Sequence, residues 1–481
     1  MVPGRPPQVY DPGRKTADRA DGRFYRMFQR FFDEGLAQAS FLVGCDRTRR
    51  AVVIDPRRDT SVYSAAARLH GATIVAAIET HVHADFVSGA RELAEKGARV
   101  MAGPGANLAF DHAEVHDNEQ LAIGDLTLTF LHTPGHTPEH IAIVAELPKQ
   151  PARLFTGDLM FVGGVGRPDL LGESQTRRLA RDLFDSLHRV MALDDDVEVH
   201  PGHGAGSLCG AGIGKDPSST IARERHQNAM LQYGDRDAFV AAVLADIPPT
   251  PRYFARMKQI NTAGPALLGD EAHRRLPALR PAAAAALAAD GATILDLRDA
   301  PAFLAGHPDG ALNIGYGPKI GFWAGWVVPG DTPLILLTEI PVHTQEAAVQ
   351  LHRVGLDRIE GTIAGGFGAW SDAGLPVASI DQMSVEELHA AVKGHERLQV
   401  VDVRSPREWR SGHVDGAINM PVGDIPQRAR ELPADAVIAT ICEGGYRSTL
   451  AASLLAHEGF ARLMNVAGGM AAYRALGEVA T

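Results

Sequence analysis

The chain of 481 residues is too long for one compact core, and its 45% hydrophobic and 22% charged content is ordinary for folded domains. Its formal net charge of −11, without a long basic block, argues against nucleic acid and anionic membrane surfaces as partners. No apolar run approaches the ~18–20 residues needed to cross a bilayer, so no membrane association is expected.

The N-terminal segment and the cysteines bear on the cellular compartment. Residues 1–23 are polar and rich in Pro and Gly, which predicts a flexible extension and no secretory signal. Cys45, Cys209 and Cys442 are few and widely spaced, so no disulfide framework is implied. We therefore expect a cytoplasmic protein with free thiols.

Residues 24–265 are predicted to form one large α/β domain. Short β-like runs alternate with helical stretches such as "SVYSAAARL", and each polar motif comes directly after an apolar run. Loops at strand ends are where α/β proteins present functional side chains. The runs are "SFLVGC", "RAVVIDP", "IVAAIET", "LTLTFLHTPGH", "RLFTGD" and "VEVHPGH".

Four of these strand-end motifs carry histidine, aspartate or both. Imidazole and carboxylate groups are ligands that suit Zn, Fe and Mn, and several of them converging from loops would make a metal site. The candidate residues are His81, His83 and Asp85 in "HVHAD", His136 in "HTPGH", Asp158 in "FTGDLMF" and His203 in "HPGHGAG".

Over about residues 24–262 these motifs resemble the metallo-β-lactamase superfamily, which implies an αββα sandwich. In its two-metal hydrolases, such as glyoxalase II, a histidine follows the aspartate of the first motif. Here that position is Phe86, which cannot coordinate a metal. A second tight metal site is therefore not expected.

The persulfide dioxygenases are the branch of the superfamily that uses one metal. Resemblance to them implies that His81, His136 and Asp158 bind one Fe²⁺ per chain, with Zn²⁺ as the alternative metal. Such a triad leaves positions open for substrate sulfur and O₂ together. The resemblance also implies a set of residues that surround and orient the ligands: His83, Asp85 and His203.

Three further residues of this domain have two interpretations each. Arg167 in "GVGRPDL" either binds a carboxylate of a thiol substrate or pairs with Asp169. His140 in "TPEH" either orients the ligands or serves a helix N-terminus. Cys209 either handles sulfur near the substrate channel, as the resemblance implies, or is a small buried hydrophobe, and Cys45 is read as core.

The last 200 residues contain an internal repeat. "LDLRDAPAFLAGHPDGALNI" aligns without gaps with "VDVRSPREWRSGHVDGAINM" one hundred or so residues later. Two small α/β domains, residues 270–380 and 381–481, are expected, the first opening with the helical "RPAAAAALAAD". Asp402 and Arg404 of the second copy are predicted to pair structurally.

The second copy carries a candidate nucleophile in "CEGGYRS", residues 442–448. A cysteine at a strand end, a Gly-rich loop and a helix N-terminus form an anion cradle that would activate Cys442. Arg447 would add a cation for the oxyanions of thiosulfate or sulfite. Residues 384–481 resemble a rhodanese domain, which implies sulfur transfer.

The first copy departs from this pattern in "TEIPVHT", residues 338–344. Thr338 replaces the cysteine, and a threonine cannot carry a persulfide. Pro341 removes an N–H from the cradle, and His343 replaces the arginine. We expect this rhodanese-like domain to be catalytically inactive and to serve as a spacer or interface.

The whole chain resembles sulfide-detoxification fusions of a dioxygenase with two rhodanese-like domains. This implies an enzyme that oxidises low-molecular-weight persulfides with O₂ to sulfite and uses Cys442 to transfer sulfur, giving thiosulfate. The alternatives are a glyoxalase II-like thiolester hydrolase and a sulfur carrier or sensor with a structural metal. We also expect a homo-oligomer.

Overall fold

The computed structural model describes residues 27–245, 247–269, 275–394 and 397–477. The predicted flexible extension, residues 1–23, lies outside this part. None of the helices described here combines the length and apolar character needed to cross a membrane.

The N-terminal unit contains two six-stranded sheets and one small sheet. The first sheet has the order β1-β2-β3-β4-β5-β6, formed by Phe28–Asp33, Gln38–Cys45, Arg50–Ile54, Thr73–Glu79, Arg99–Ala102 and Ala113–Glu114. The second has the order β15-β13-β10-β9-β8-β7, formed by Ser219–Thr220, Glu198–Pro201, Arg153–Gly157, Ile141–Glu146, Leu126–His132 and Gln120–Ile123. The small sheet has the order β11-β12-β14, formed by Met160–Phe161, Gly164–Gly166 and Gly210–Ala211.

Six helices and one 3₁₀ turn accompany these sheets. The helices α1–α6 are Ser61–Leu69, Ala90–Ala94, Glu173–Val190, Ile221–Gln227, Arg236–Ala245 and Tyr253–Ala263, and the 3₁₀ turn is Ala229–Gln232.

The side chains of the two large sheets define four layers. Along β2, Phe41 and Val43 face the core between the sheets, whereas Leu42 packs with Tyr63 of α1 on the outer face. This alternation follows from the two-residue period of a strand. Helices α3 and α5 cover the outer face of the second sheet through an apolar cluster that includes Leu183 and Phe239. The predicted αββα sandwich is thereby confirmed.

The two copies of the repeat fold alike. Each has a five-stranded parallel sheet, with the orders β16-β21-β20-β17-β19 and β23-β27-β26-β24-β25. Strands β16–β22 are Ala278–Leu279, Thr293–Asp296, His307–Pro308, Leu312–Asn313, Leu334–Leu337, Ile359–Ile363 and Val377–Ala378. Strands β23–β27 are Asp381–Met383, Leu398–Asp402, Ile418–Asn419, Val437–Ile441 and Leu463–Val466.

Helices cover both faces of these parallel sheets. In the first copy, α7–α11 are Pro281–Ala289, Ala300–Ala305, Ile320–Val327, Pro341–Arg353 and Gly366–Asp372. In the second, α12–α16 are Val385–Lys393, Pro406–Arg410, Ile425–Arg428, Tyr446–His457 and Gly469–Ala475, with 3₁₀ turns at Val422–Asp424 and Ala429–Glu431.

The matching residues of the repeat also make matching contacts. The Arg404 guanidinium donates to both carboxylate oxygens of Asp402 at 2.6–3.0 Å, and Arg298 pairs with Asp296 in the same way. Both ion pairs are almost fully buried. The structural role predicted for Asp402 and Arg404 is confirmed.

The first rhodanese-like unit is joined to the N-terminal unit by buried ion pairs. Arg353, at the end of α10, donates to both carboxylate oxygens of Asp59 at 2.7 and 2.8 Å and to Asp33 at 2.5 Å. In the opposite direction, Arg58 donates to Asp357 at 2.6 Å. Only 14% of the Arg353 side chain is exposed.

We expect Arg353→Ala to destabilise the protein strongly, because it removes the cation that two buried carboxylates share and leaves Asp59 only the longer contact with Arg57 at 3.3 Å. Breaking a buried pair by removing one partner costs about 3–5 kcal/mol. The matched control is Arg47→Ala: its pair with Asp125 is 64% and 44% exposed, so its loss should lower the stability far less. Denaturant-induced unfolding of both variants measures the difference, and equal midpoints would contradict the prediction.

Candidate metal centre and thiol site

Three of the predicted ligands converge at the ends of strands in the N-terminal unit. His81 follows β4, His136 follows β8, and Asp158 follows β10 directly. One ligand atom from each lies within 4.8 Å of the others, and all three residues are buried. The Asp158 carboxylate is 3.4 Å from His136 Nε2 and 3.9 Å from His81 Nε2.

Hydrogen bonds on the far side of each imidazole fix which nitrogen faces the centre. The Thr80 hydroxyl donates to Asp55 at 2.9 Å, so its oxygen is free to accept from His81 Nδ1, also at 2.9 Å. His136 Nδ1 donates to the Arg167 carbonyl at 2.8 Å. Both rings therefore point an unprotonated Nε2 inward, as metal-binding histidines do.

The inward-facing atoms of the triad have no hydrogen-bonding partner among the described residues. These atoms are His81 Nε2, His136 Nε2 and both carboxylate oxygens of Asp158. Leaving such groups buried and unpaired costs free energy, and a cation would satisfy them all. Burial and the neighbouring His83 lower the pKa of His81. Burial and His140 lower the pKa of His136. Both imidazole rings are therefore neutral, as metal ligands must be. The donor set fits a metal ion.

His140 holds the third ligand in place. Its Nε2 accepts the Asp158 backbone N–H at 3.1 Å, and its Nδ1 donates to the Thr133 hydroxyl at 2.9 Å. Burial lowers the pKa of His140 to about 3, while burial raises the pKa of Asp158 to about 6. Of the two interpretations of His140, the structure places it where it orients a ligand.

His83 is part of a second group of polar side chains. Its Nε2 lies 2.9 Å from Glu79 and 3.2 Å from Asp55, so it donates away from the triad. Burial opposes protonation, but Asp55 and Glu79 outweigh it and raise the pKa of His83 well above its usual range. Its other nitrogen, Nδ1, is buried without a hydrogen-bonding partner in the described structure.

A third group lies on the other side of Asp158. Asp85, His203 and Cys209 bring ligand atoms within 4.8 Å of one another, and all are buried. His203 Nε2 is 3.4 Å from Asp85 and 3.6 Å from Asp158. Burial, Asp85 and Asp158 raise the pKa of the Cys209 thiol. The sequence pattern did not group Cys209 with Asp85 and His203 as one site, because Cys209 lies after the last histidine motif.

Phe86 occupies the position of the missing histidine as a core residue. Its side chain is fully buried, and its ring centroid lies 4.3 Å from that of His83. It belongs to the same apolar cluster as Met257 of α6 and Val354 of the first rhodanese-like unit. The structure thus gives Phe86 a packing role where the two-metal hydrolases have a ligand.

Arg167 uses four of its five guanidinium N–H groups in internal contacts. It donates to both oxygens of Asp169 at 2.7 Å and to the carbonyl of Leu208 at 3.0 Å. A third contact goes to the Thr250 hydroxyl at 2.5 Å. The interpretation of Arg167 as a binder of substrate carboxylate is therefore not supported, and the ion pair with Asp169 is what forms. Arg167 serves the site through its backbone carbonyl.

The second rhodanese-like unit presents Cys442 in a loop between β26 and α15. The Gly445 N–H donates to Cys442 Sγ at 3.1 Å, and the thiol donates to the Ser448 hydroxyl at 3.5 Å. Gly445 has a φ of 105°, a conformation that favours glycine, and it caps α15. One N–H at the start of this helix, that of Gly445, therefore points at the sulfur.

Arg447 lines the same cavity as Cys442 but is held by a carboxylate. Its guanidinium donates to both oxygens of Glu408 at 2.6 and 2.7 Å. Burial works against ionisation, but the bonds from Arg447 lower the pKa of Glu408 to about 2. Arg447 is thus a fixed cation with its charge partly compensated.

The corresponding loop of the first copy is built differently. The Thr338 hydroxyl accepts from the Ile340 N–H at 3.1 Å, and Pro341 begins α10. The ring of His343 stacks on Tyr316 with centroids 3.5 Å apart, so it does not substitute for an arginine at the loop.

We expect Thr338→Ala to leave sulfur transfer within about twofold of the parent protein, because this loop has neither thiol nor guanidinium. Thiosulfate:cyanide sulfurtransferase assays of the full chain test this, with Cys442→Ser as the inactive reference. A large loss of activity in a folded Thr338→Ala protein would show that the first copy takes part.

Several residues that support the sites were not identified from the sequence. Asp55 and Glu79 each end or follow a buried strand, as Asp158 does, but neither lies in a histidine motif. Glu408 could have been found from the "SPRE" pattern, since Ser405 and Glu408 form a capping box at α13.

Comparison with known proteins agrees with this architecture. A model of the metallo-beta-lactamase superfamily matches residues 33–203, and a model of the rhodanese-like domain matches residues 280–373 and 384–476. The hydroxyacylglutathione hydrolase of Xanthomonas euvesicatoria pv. vesicatoria (strain 85-10) is 30% identical over 42% of this chain and 76% of its own length. The putative sulfur carrier protein YrkF of Bacillus subtilis (strain 168) is 36% identical over 19% of this chain and 50% of its own length.

A solved structure extends the comparison. The crystal structure of a metallo-beta-lactamase from Staphylococcus aureus subsp. aureus COL is 33% identical and covers 70% of this chain and 98% of its own, with a TM-score of 0.62. The chain therefore belongs to the metallo-beta-lactamase superfamily and carries two rhodanese-like domains behind its metal domain.

Proposed function

We propose that this chain is a persulfide dioxygenase joined to a sulfurtransferase. The observation that carries the proposal is the triad of His81, His136 and Asp158, whose inward-facing donor atoms are buried and unpartnered among the described residues. Two neutral imidazoles and one carboxylate are the ligand set of Fe(II) oxygenases. Bound Fe²⁺, one per chain, would supply the activation of O₂ beside the substrate sulfur.

The proposed oxidation is balanced with water as the only other reactant: R–S–SH + O₂ + H₂O gives R–SH, sulfite and two protons. The terminal sulfur is oxidised, O₂ is reduced, and the S–S bond breaks. In the second reaction, sulfite takes the terminal sulfur of another persulfide, giving thiosulfate and R–SH. Cys442 would carry that sulfur as Cys–S–S⁻ between donor and acceptor.

The residues around the triad would prepare it for this chemistry. Thr80 and the Arg167 carbonyl hold the Nδ1 protons of His81 and His136, which keeps each Nε2 lone pair available. His140 orients Asp158 through its backbone N–H. Phe86 fills the second ligand position with an apolar ring, so only one metal would be tightly held.

The loop at Cys442 supports the sulfur-transfer half of the proposal. The Gly445 N–H stabilises negative charge on Sγ, and Arg447 lies in the same cavity to attract an oxyanion. Backbone N–H groups at the N-terminus of α15 add to this field. A thiolate held in this way is a suitable nucleophile for sulfane sulfur.

Thiolester hydrolysis is a second candidate function for the metal domain. A relative 30% identical is a hydroxyacylglutathione hydrolase, and His83 Nδ1 is unpartnered in the described structure. Once it has lost its proton, that nitrogen could join His81 and His136 in a three-histidine site, which suits Zn²⁺ and hydrolysis.

An oxygen-electrode assay separates the two functions. The protein, loaded with Fe²⁺ or with Zn²⁺, is given a panel of low-molecular-weight persulfides and, separately, acyl-glutathione thiolesters. We expect persulfide-dependent O₂ uptake with Fe²⁺ and no thiolester hydrolysis with either metal. Rapid thiolester hydrolysis without O₂ uptake would replace the dioxygenase proposal by the hydrolase.

A further inference from the structure

The cavity at Cys442 is far larger than a rhodanese loop alone would need. Its volume is about 610 Å³, and residues from all three structural units line it. The metal domain contributes Leu208, next to Cys209, and the first rhodanese-like unit contributes an aromatic wall, defined as Phe322, Trp323 and Trp326 of α9. Cavities of this size hold organic ligands, whereas thiosulfate needs only a small part of the space.

The packing of α9 forces its aromatic residues toward the cavity. On the opposite side of the helix, Gly321 lies against the Gln350 backbone, and a Cβ there would come within 2.4 Å of its carbonyl oxygen. A Cβ at Gly325 would lie 3.3 Å from both Tyr253 and Val354. Glycines four residues apart share one helix face, so this face packs inward and the large rings face outward.

The aromatic wall has a defined geometry. The rings of Trp323 and Trp326 are stacked at 18°, with centroids 5.9 Å apart, and Phe322 lies nearly perpendicular to both. Trp326 also presses on Gly423 of the second rhodanese-like unit, where a Cβ would be 1.9 Å from the indole nitrogen. The wall is therefore held rigidly across the domain boundary, beside the Cys442 loop.

We propose that the inactive rhodanese-like unit supplies the specificity wall of the Cys442 site, binding the planar or apolar organic group of a sulfane-sulfur donor. The faces of these aromatic rings offer stacking to such a group but no hydrogen bond to a sulfonate oxygen. Lys319, at the same end of the cavity, adds an ammonium for an anionic part of the donor. This inference rests on the proposed sulfurtransferase role of Cys442 and is independent of the dioxygenase.

The transfer itself needs no additional oxidant. With an aryl thiosulfonate, Cys442 thiolate attacks the outer sulfur, the S–S bond of the donor breaks, and the sulfinate leaves with the electron pair. Cyanide then takes the outer sulfur from the Cys442 persulfide, giving thiocyanate and the thiolate. Because the chemical step is the same for every thiosulfonate, a difference in rate between donors that differ only in their organic group measures the contribution of the aromatic wall.

The test compares benzenethiosulfonate with methanethiosulfonate in the full-length protein, with cyanide as acceptor and thiocyanate formation as the measurement. We expect Trp323→Ala and Trp326→Ala each to lower the selectivity ratio, kcat/KM for the aryl over the methyl donor, by about fivefold, and the double variant by more, through KM. The control is Phe367→Ala, in the same unit but outside the cavity, which should keep the parent ratio. An unchanged ratio in both tryptophan variants would overturn the inference.

A binding measurement keeps the inference testable if Cys442 proves not to transfer sulfur. Titration calorimetry with benzenesulfinate and methanesulfinate measures affinity without turnover. The parent protein should bind benzenesulfinate more tightly, and the double tryptophan variant should lose that preference. Equal affinity of the parent for both sulfinates would refute the wall, whereas loss of thiocyanate formation alone would count against the proposed function of Cys442.

Discussion

His136→Ala is expected to empty the metal centre and to lower persulfide-dependent O₂ uptake by more than about 100-fold. Loss of a residue that only supports a ligand costs about 10–100-fold, so loss of the ligand itself should exceed that range. His81→Ala and Asp158→Ala should behave alike. The matched control is His116→Ala, whose side chain is 70% exposed and which should retain both metal and activity.

Metal stoichiometry tests the same centre independently of turnover. Purified parent protein should contain close to one iron per chain, because Phe86 removes one ligand of a second site. Two tightly held metals would contradict this prediction. In that case Cys209→Ser decides whether the group of Asp85, His203 and Cys209 holds the additional ion.

Cys442→Ser is expected to retain persulfide-dependent O₂ uptake within about twofold while abolishing sulfur transfer. The oxidation requires the metal triad, whereas the transfer requires a thiolate in an anion cradle. The product should therefore shift from thiosulfate to sulfite, measured by chromatography of the sulfur oxyanions.

Mass spectrometry of the intact protein provides the complementary measurement. After persulfide treatment, the parent should carry an adduct of roughly 32 Da, one sulfur atom, on Cys442. An adduct only on Cys209 would move the sulfur-carrying role to the metal domain. Loss of O₂ uptake in Cys442→Ser would instead mean that the two sites are obligatorily coupled.

The sequence sufficed to predict the layers of the fold and the convergence of the histidine and aspartate motifs. The αββα sandwich was expected from the resemblance of the histidine and aspartate motifs to the metallo-β-lactamase superfamily, and His81, His136 and Asp158 each follow a strand that the sequence pattern identifies. The repeat was equally visible, because an arginine, a histidine and an asparagine recur at the same spacing after Asp296 and after Asp402.

What the sequence could not show are the contacts made over long distances along the chain. Arg167 pairs with Asp169 and not with a substrate partly because its guanidinium also donates to the Leu208 carbonyl and the Thr250 hydroxyl. Only folding brings these two residues near Arg167. No motif marks the aromatic residues of α9 in the sequence, yet folding places them in the cavity of a thiol more than a hundred residues away. Motif spacing carries no information on either arrangement.

The burial of Phe86 makes the loss of the second metal ligand difficult to reverse. A histidine at this position would exchange an apolar ring for a polar one inside a core shared by Met257 and Val354, beside the ring of His83. One substitution would therefore destabilise the junction of two domains before it could create a new metal site. The first rhodanese-like unit thus ties residue 86 to the packing between two domains, so building a second metal site there would need several coordinated changes.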